Sequence, residues 1–420
     1  MLSHAALEME TIPTSQQQAV LESIDKLRPK LVELTQRLIR ERSVNPPGDE
    51  TGTARVLVEE LESFGVKAKE RQVAPKRVNV EAVLGGIERG SRFLFNGHMD
   101  VVPEGDPSKW TTDPFGGEVK GDLIYGRGAT DMKGGLAAIT IALRGIVDSG
   151  TALKGDVLFH AVADEEVDSI YGTKYMIKRG LAKADMGIVA EPSIFGKAIV
   201  IRQAVRGNCW VKLRTLGKAA HASNPSNGVN AVLNMSRLLL EVDKLQLKHI
   251  PHSVLPPPTI AAGTVIKGGT KTNVIPESCE AEVDVRITPG MTKEQVLGEF
   301  NSMIDRMTRE YFNFSATAEA FAYAPSAEIR ADHPVIRAAQ KATELIAGKT
   351  PTLGAGSGTN DGVYLIQDGG VPVIPGFGPG DHESGHAHGA DENVRISDLM
   401  NFAKIYALTL MFSLGYKEAN

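Results

Sequence analysis

Along the first part of the chain, short apolar runs that end in glycine or polar clusters alternate with stretches whose apolar positions recur every three or four residues. That alternation is what βαβ units of a largely parallel sheet produce. It predicts strands over 79–83, 93–95, 157–163 and 187–190, and helices over 17–42, 52–63, 132–149, 172–179 and 334–347. The middle of the chain is patterned differently. Residues 208–216 and 279–287 alternate apolar and polar one by one, as half-buried strands of an antiparallel sheet do. Between them lie a helical stretch, 230–245, and a proline-rich loop, 251–258; a further helix, 292–310, follows the turn Pro289-Gly290. The expected architecture is α/β: a catalytic domain with a mostly parallel sheet flanked by helices, split into 1–203 and 323–420. A smaller α/β sandwich, 204–322, is inserted between the two parts.

Charge and composition narrow the classes of function. With 46 Lys+Arg against 51 Asp+Glu the net charge is −5, which argues against a nucleic-acid-binding or anionic-membrane surface. Hydrophobic residues at 42% and charged residues at 23% are those of a globular chain, not a disordered one. No apolar run reaches the roughly 20 residues that a membrane span needs. The N-terminal stretch carries Glu8 and Glu10 in its apolar part and lacks a basic start, so it does not read as a signal peptide. Only Cys209 and Cys279 are present, too few for a disulfide framework or a cysteine zinc site, and a reducing cytoplasm is the expected compartment.

In an open α/β sheet, chemistry gathers beyond the carboxyl ends of the strands. Asn96-Gly97-His98-Met99-Asp100, Asp164-Glu165-Glu166 and Glu191 each follow a predicted strand, and Asp131 sits between Gly126-Arg127-Gly128 and a predicted helix. After the apolar run ending at Ile374 comes a Gly/Pro loop with His382, His386 and His388. Any one of these carboxylates alone reads as a helix cap or a solvated loop residue. Together they make a nitrogen and oxygen donor set that suits zinc, cobalt or manganese. His382-Glu383-Ser384-Gly385-His386 matches the H-E-x-x-H spelling, but that motif needs a helix, and Pro379, Gly380, Gly385 and Gly389 surround it. Neither Gly126-Arg127-Gly128 nor the glycines of 354–358 complete a phosphate cradle, so nucleotide binding is not expected. His160, flanked by Phe159 and Ala161, reads as a core histidine with satisfied hydrogen bonds.

Several segments carry a resemblance: Gly97-His98-Met99-Asp100; Gly126-Arg127-Gly128-Ala129-Thr130-Asp131-Met132-Lys133-Gly134-Gly135; Asp164-Glu165-Glu166; Glu191-Pro192; and Ala387-His388 with Asp391-Glu392. In order and spacing the chain resembles the dizinc metallopeptidase family of acetylornithine deacetylase, succinyl-diaminopimelate desuccinylase, aminoacylase and glutamate carboxypeptidase. The resemblance implies Asp131 as a carboxylate bridging two metal ions, with His98 and Glu191 completing one site and Glu166 and His388 the other. It selects His388 over His386, makes Glu165 the general base, and implies a cis peptide between Asp131 and Met132. The ions are expected to be zinc, with cobalt and manganese as alternatives, activating a water that attacks an amide carbonyl. Asp100, two residues from His98 in an extended segment, points to the same side and is expected to orient that imidazole through its carboxylate.

The resemblance extends into the insert. Leu216-Gly217-Lys218-Ala219-Ala220-His221-Ala222-Ser223 is similar to a lid segment whose histidine reaches the other subunit's active site, which implies a homodimer formed through the insert. Asn273 and Arg286 correspond to residues that grip a substrate carboxylate, and Ser357-Gly358-Thr359-Asn360-Asp361-Gly362 to a loop that donates to the same group. Arg206 is a candidate for the acyl side of the substrate. Read from their neighbours alone, Arg286 also fits an ion pair with Glu280, Glu282 or Asp284, and Arg206 a solvated hinge charge. The implied activity is a deacylase that releases an amino acid from an N-acyl amino acid. A metallo-exopeptidase or dipeptidase, an amine-releasing hydrolase of an aromatic substrate, and a non-catalytic binding protein are the alternatives. The last of these predicts the loss of a ligand or of the base, and none is lost.

Overall fold

Phe93-Leu94-Phe95 and Val157-Leu158-Phe159 are apolar on both sides of the strand, and such strands need neighbours in the sheet and cover on both faces. They find both in a six-stranded sheet ordered Ala68–Ala74, Arg77–Leu84, Asp156–Val162, Arg92–His98, Met186–Val189, Val373–Ile374. Arg92–His98 runs parallel to Asp156–Val162 on one side and to Met186–Val189 on the other. On one face Phe93, Phe95, Phe159 and Ile188 pack with the helices Gly134–Asp148 and Ile396–Leu414. On the other, Leu94, Leu158 and Val189 meet Met176 and Leu365.

A computed structural model describes residues 12–88 and 90–417; the signal-peptide reading rests mostly on positions before residue 12, outside that range. Two units emerge: the described part of Met1–Gln203 with Ile329–Gly354 and Asn360–Asn420, and Ala204–Glu328 with Ala355–Thr359.

The mixed α/β architecture matches the reading of the sequence, with local differences in the first unit that include the following. The helix expected over 17–42 is two helices, Ser15–Lys26 and Arg28–Arg40, because Pro29 has no N–H to continue the first and sits naturally in the first turn of the second. The strand Ala68–Ala74 was not expected; charged and partly exposed, it forms an antiparallel edge beside Arg77–Leu84. The helix Ile396–Leu414 was also missed, since it is buried around most of its circumference and so shows no amphipathic stripe.

The second unit is a four-stranded antiparallel sheet, ordered Thr259–Gly268, Ser278–Ile287, Gly207–Leu216, Ala316–Ala324. Inward positions Val211, Leu213, Val283 and Val285 alternate with exposed or half-buried ones and pack under Leu238 and Phe300 of the helices Ala231–Val242 and Lys293–Glu310. Thr292 and Gln295 cap the latter helix reciprocally. Cys209 and Cys279 are buried free thiols in this core. Among the described residues no helix is long and apolar enough to cross a membrane.

In the first unit, one close approach ties the start of the helix Gly134–Asp148 to the end of the strand Met186–Val189. A Cβ on Gly135 would lie 2.5 Å from the carbonyl oxygen of Ala190, the residue before Glu191. Alanine there gains at most about 1 kcal/mol of helix propensity. It meets backbone that cannot rotate away, a conflict of about 1–3 kcal/mol. Gly135→Ala is therefore expected to lower the urea unfolding midpoint; an unchanged or higher midpoint would refute the close packing.

Candidate metal centre and active site

The register of the parallel strands sets the site. Asn96 pairs with both His160 and Val189, so the ends of Asp156–Val162, Arg92–His98 and Met186–Val189 lie level. Asp164-Glu165-Glu166, His98 and Glu191 therefore emerge side by side at one edge. Asp131 arrives from the turn Ala129–Lys133, where Asp131 and Met132 leave helical geometry and the peptide between them is cis, as the resemblance implied. The turn is held by Glu392, which accepts the main-chain N–H groups of Thr130 and Asp131 at 3.0 Å each and pairs with buried Arg127 at 2.5 Å.

Asp131 faces two imidazoles with its two oxygens. Oδ1 is 3.1 Å from His98 Nε2, and Oδ2 is 3.4 Å from His388 Nε2. Glu191 Oε1 lies 3.7 Å from His98 Nε2, and Glu166 Oε2 lies 3.3 Å from His388 Nε2. Donors bound at about 2.0–2.2 Å around a tetrahedral ion stand roughly 3.3–3.6 Å apart, so these spacings fit one ion on each side of Asp131. Glu166 Oε1 is buried without a hydrogen-bond partner, as an oxygen awaiting a cation would be. His98, Asp131 and Glu166, and also His98, Glu165 and Glu191, are close enough to share an ion. Glu165 Oε2 is the more distant neighbour of His98, at 3.9 Å. The His98 side chain is 1% exposed and that of His388 53%, so access to the site is from the His388 side.

The charges explain why such a cluster wants cations. Burial raises the proton affinity of Glu165 strongly, opposed by His98 and reinforced by Glu191 and Glu166. Burial likewise raises Glu166, and lifts Glu191 to about 8 with help from the Asp131 charge. Burial works against a charge on His98, but the hydrogen bond to Asp131 and the carboxylates of Glu165 and Glu191 prevail and hold its pKa well above the ordinary value. His388 is raised to about 10 by its hydrogen bonds to Asp131 and Glu166. Asp131 alone stays low, because those two imidazoles outweigh its burial.

Asp100 acts differently from expectation. The His98 Nδ1 hydrogen bond goes to the main-chain carbonyl of Asp100 at 2.9 Å, while the nearer carboxylate oxygen is 3.7 Å away. That carboxylate instead accepts the main-chain N–H of Glu165 at 3.1 Å and of Glu166 at 3.2 Å, two amides that aim at it from the turn after the neighbouring strand. No helix brings His382 and His386 together: His382 stacks on Phe195 and His386 has a φ of 55°. His160 is buried, but both ring nitrogens lack partners, so burial drives its pKa down to about 3 and it stays neutral.

The insert residues lie in the second unit. The His221 main chain bridges to Val274, and Ala222 N–H donates to the Asn273 carbonyl at 3.0 Å. Ser223 N–H donates to His221 Nδ1 at 3.2 Å, so in the neutral ring the proton is on Nε2 of this exposed side chain. Arg286 pairs with Asp284 at 2.9 Å, the ion pair its strand face suggested. Arg206 is not a solvated hinge charge: it is 7% exposed and donates to the carbonyls of Pro256 and Pro257 at 3.1 and 2.5 Å. Thr359 Oγ1 donates to the Arg206 carbonyl at 3.0 Å, and Gly358 beside it has open space where a side chain would be.

The profile of Peptidase family M20/M25/M40 matches residues 94–411. The chain belongs to this family. Succinyl-diaminopimelate desuccinylase 2 of Ruegeria sp. (strain TM1040) is 31% identical over 399 residues, covering 91% of this chain and 95% of that one. N-formyl-4-amino-5-aminomethyl-2-methylpyrimidine deformylase of Bacillus subtilis (strain 168) is 27% identical over 416 residues, with coverages of 91% and 94%. Aminopeptidase PepT of Bacillus cereus ATCC 10987 shares the fold, with a TM-score of 0.76, 23% identity, and coverage of 92% of this chain and 98% of that one. This family member is a metal-dependent hydrolase of carbon–nitrogen amide bonds.

In the sequence Glu392 stands in a motif without an evident task, and Arg202 does not stand out. That guanidinium is 7% exposed, and burial lowers its pKa although Glu191 and Asp131 favour its charge. A lone arginine in an apolar strand gives no local signal of this.

Metal affinity should follow the protons held by the cluster. His388 at about 10 and Glu191 at about 8 keep protons at neutral pH that a cation must displace. Affinity is thus expected to rise with pH between 6 and 8, about tenfold per unit for each proton displaced. Calorimetric titration with zinc in buffers of different ionisation enthalpy counts those protons; binding that releases none would contradict the cluster's role.

Proposed function

We propose that the chain hydrolyses the amide bond of an N-acyl amino acid, releasing the free amino acid. The observation that carries this reading is Asp131, with one oxygen toward His98 and the other toward His388. His98, Asp131 and Glu191 would hold one divalent ion, and Asp131, Glu166 and His388 the other. Zinc is the proposed metal, with cobalt and manganese the competitors that the same donors accept. The chemistry such ions supply when bound is Lewis acidity, which acidifies water and polarises a carbonyl.

Glu165 is the proposed general base, a carboxylate beside the ligands whose proton affinity is raised by burial. It takes a proton from the attacking water at a carboxylate oxygen and returns it to the departing nitrogen, one group acting in turn as base and acid. Asp100 fixes the main chain from which Glu165 projects. In the second unit, Arg286 is the proposed anchor of the substrate's carboxylate, by its planar fork, with Asn273, Gly358 and Thr359 as further donors. Arg206 is proposed for the acyl side, and His221, with Nε2–H exposed, for the oxyanion of the other subunit's substrate. A homodimer is supported by the apolar surface of the second unit: Leu233 and Leu240 on one helix and Ile266 on an edge strand are exposed. The buried free thiols favour a reducing cytoplasm.

Deacylation is preferred over exopeptidase action because the curated relatives are a desuccinylase and a deformylase by name, whereas PepT shares the fold at 23% identity. The deformylase favours one second reading, release of an amine from a heteroaromatic substrate. A panel of N-succinyl, N-acetyl and N-formyl amino acids, dipeptides and N-formyl aminopyrimidines, assayed with zinc, cobalt or manganese, separates these. N-acyl amino acids are expected to exceed dipeptides in kcat/KM by more than about tenfold; the reverse order would overturn the deacylase reading. Glu165→Gln should retain bound metal while kcat falls by about 10²–10⁴. Near-normal turnover would remove Glu165 from the base role.

A further inference from the structure

We propose that Arg77, on a strand outside the set of metal-binding candidates, is a positioning residue that fixes the Glu165-Glu166 turn through Asn45, Asp100 and Asp164. The antiparallel pairing of Val80 with Ala161 brings the start of Arg77–Leu84 beside the end of Asp156–Val162, where Asp164 follows. Arg77 is 5% exposed, and its guanidinium reaches three polar groups and a carbonyl. Nη2 donates to Asp164 Oδ1 at 2.8 Å and lies 3.1 Å from Glu50 Oε1; Nη1 donates to Pro47 O at 2.9 Å and to Asn45 Oδ1 at 3.3 Å.

The bond to Asn45 decides the orientation of an amide. Arginine only donates, so the Asn45 oxygen must face it, and the Asn45 nitrogen must face the other way. There Nδ2 donates to Asp100 Oδ2 at 2.8 Å and to Asp164 Oδ1 at 3.3 Å. Asp100, held in this way, presents its oxygens to the N–H groups of Glu165 and Glu166. Asp164 needs holding as well: its φ of 72° is in the left-handed region that side chains disfavour, and its Oδ2 accepts Tyr171 N–H at 3.2 Å. Arg77 thus steadies both the residue that begins the turn and the carboxylate that aligns the turn's amides, without touching substrate or metal.

This inference rests on the roles proposed for Glu165 and Glu166. Arg77→Lys keeps a charge but loses the fork, and Asn45→Ala keeps the Arg77 ion pairs and removes only the amide link. Each is expected to lower zinc affinity, read by competition with a chromogenic chelator, and to lower kcat at saturating metal, by about 10–100-fold. KM should stay within about threefold, since no substrate contact is removed. If Arg77→Lys does not fold, Asn45→Ala decides. Folded variants with unchanged zinc affinity and kcat, or losses that only track the folded fraction by thermal melting, would overturn the proposal. Glu165→Gln assayed in parallel separates the two failures: full turnover there refutes the base assignment, whereas its expected loss beside unaffected Asn45→Ala refutes only the positioning role.

Discussion

Carboxylates packed a few ångströms apart out of water cannot all stay charged, and they must share protons or bind cations. The first unit gathers Asp131, Glu165, Glu166 and Glu191 around His98 and His388 in that condition. Burial raises the proton affinity of every one of those acids, and only at Asp131 do the two imidazoles outweigh it; the acids in turn raise both imidazoles. A cluster chosen for stability alone would be replaced by apolar side chains at no loss. Its persistence makes sense if divalent cations supply the missing positive charge. The same crowding raises the proton affinity of Glu165, which suits the role proposed for it of accepting and then returning a proton.

Holding such a cluster together falls to the main chain, by one device used twice. Glu392 accepts the amides of Thr130 and Asp131, and Asp100 accepts those of Glu165 and Glu166. Each accepting carboxylate is buried and has its own partner, Arg127 for Glu392 and Asn45 for Asp100. Removing one member of a buried pair such as Arg127–Glu392 costs about 3–5 kcal/mol, so these anchors are stiff. Ligand geometry then depends on where the backbone is fixed as well as on side-chain rotamers.

Much of this was legible in the sequence, for physical reasons that also mark where legibility ends. Apolar runs followed at once by His98, Glu165-Glu166 and Glu191 identify strand ends that carry chemistry, because polar residues there escape the core. Gly134-Gly135 enter the sequence reading only as part of the family pattern, and the structure supplies a physical reason for Gly135 in the Ala190 carbonyl. Spacing alone left His386 and His388 open; the family pattern selected His388, and Asp131 and Glu166 lie beside it. The sequence points to Asp100 as a neighbour of His98, but only the structure distinguishes its carbonyl, at 2.9 Å from Nδ1, from its carboxylate, at 3.7 Å. Arg77, Asn45 and Glu392 act over long sequence separations through amides and carbonyls, and nothing in their immediate neighbours encodes that. The helix Ile396–Leu414 escaped because a helix buried on nearly all sides loses the stripe that reveals it.

The division into two units suggests why one chemistry serves different substrates. The ligands, the base candidate and their anchors all belong to the first unit and its own core, whereas Arg206, His221, Asn273, Arg286 and Thr359 belong to the second, built on a separate core. Under the roles proposed for those residues, substitutions in the second unit would change substrate recognition and leave in place the backbone bonds that hold Asp131 and Glu166. A desuccinylase and a deformylase, at 31% and 27% identity over nearly the whole chain, are the kind of relatives such an arrangement permits. Overall identity then speaks for the reaction and little for the substrate. If Arg206 and Arg286 act as proposed, discrimination rests on the polar groups around them: the Arg206 guanidinium is held by the Pro256 and Pro257 carbonyls, so a change in that one short loop would redirect it.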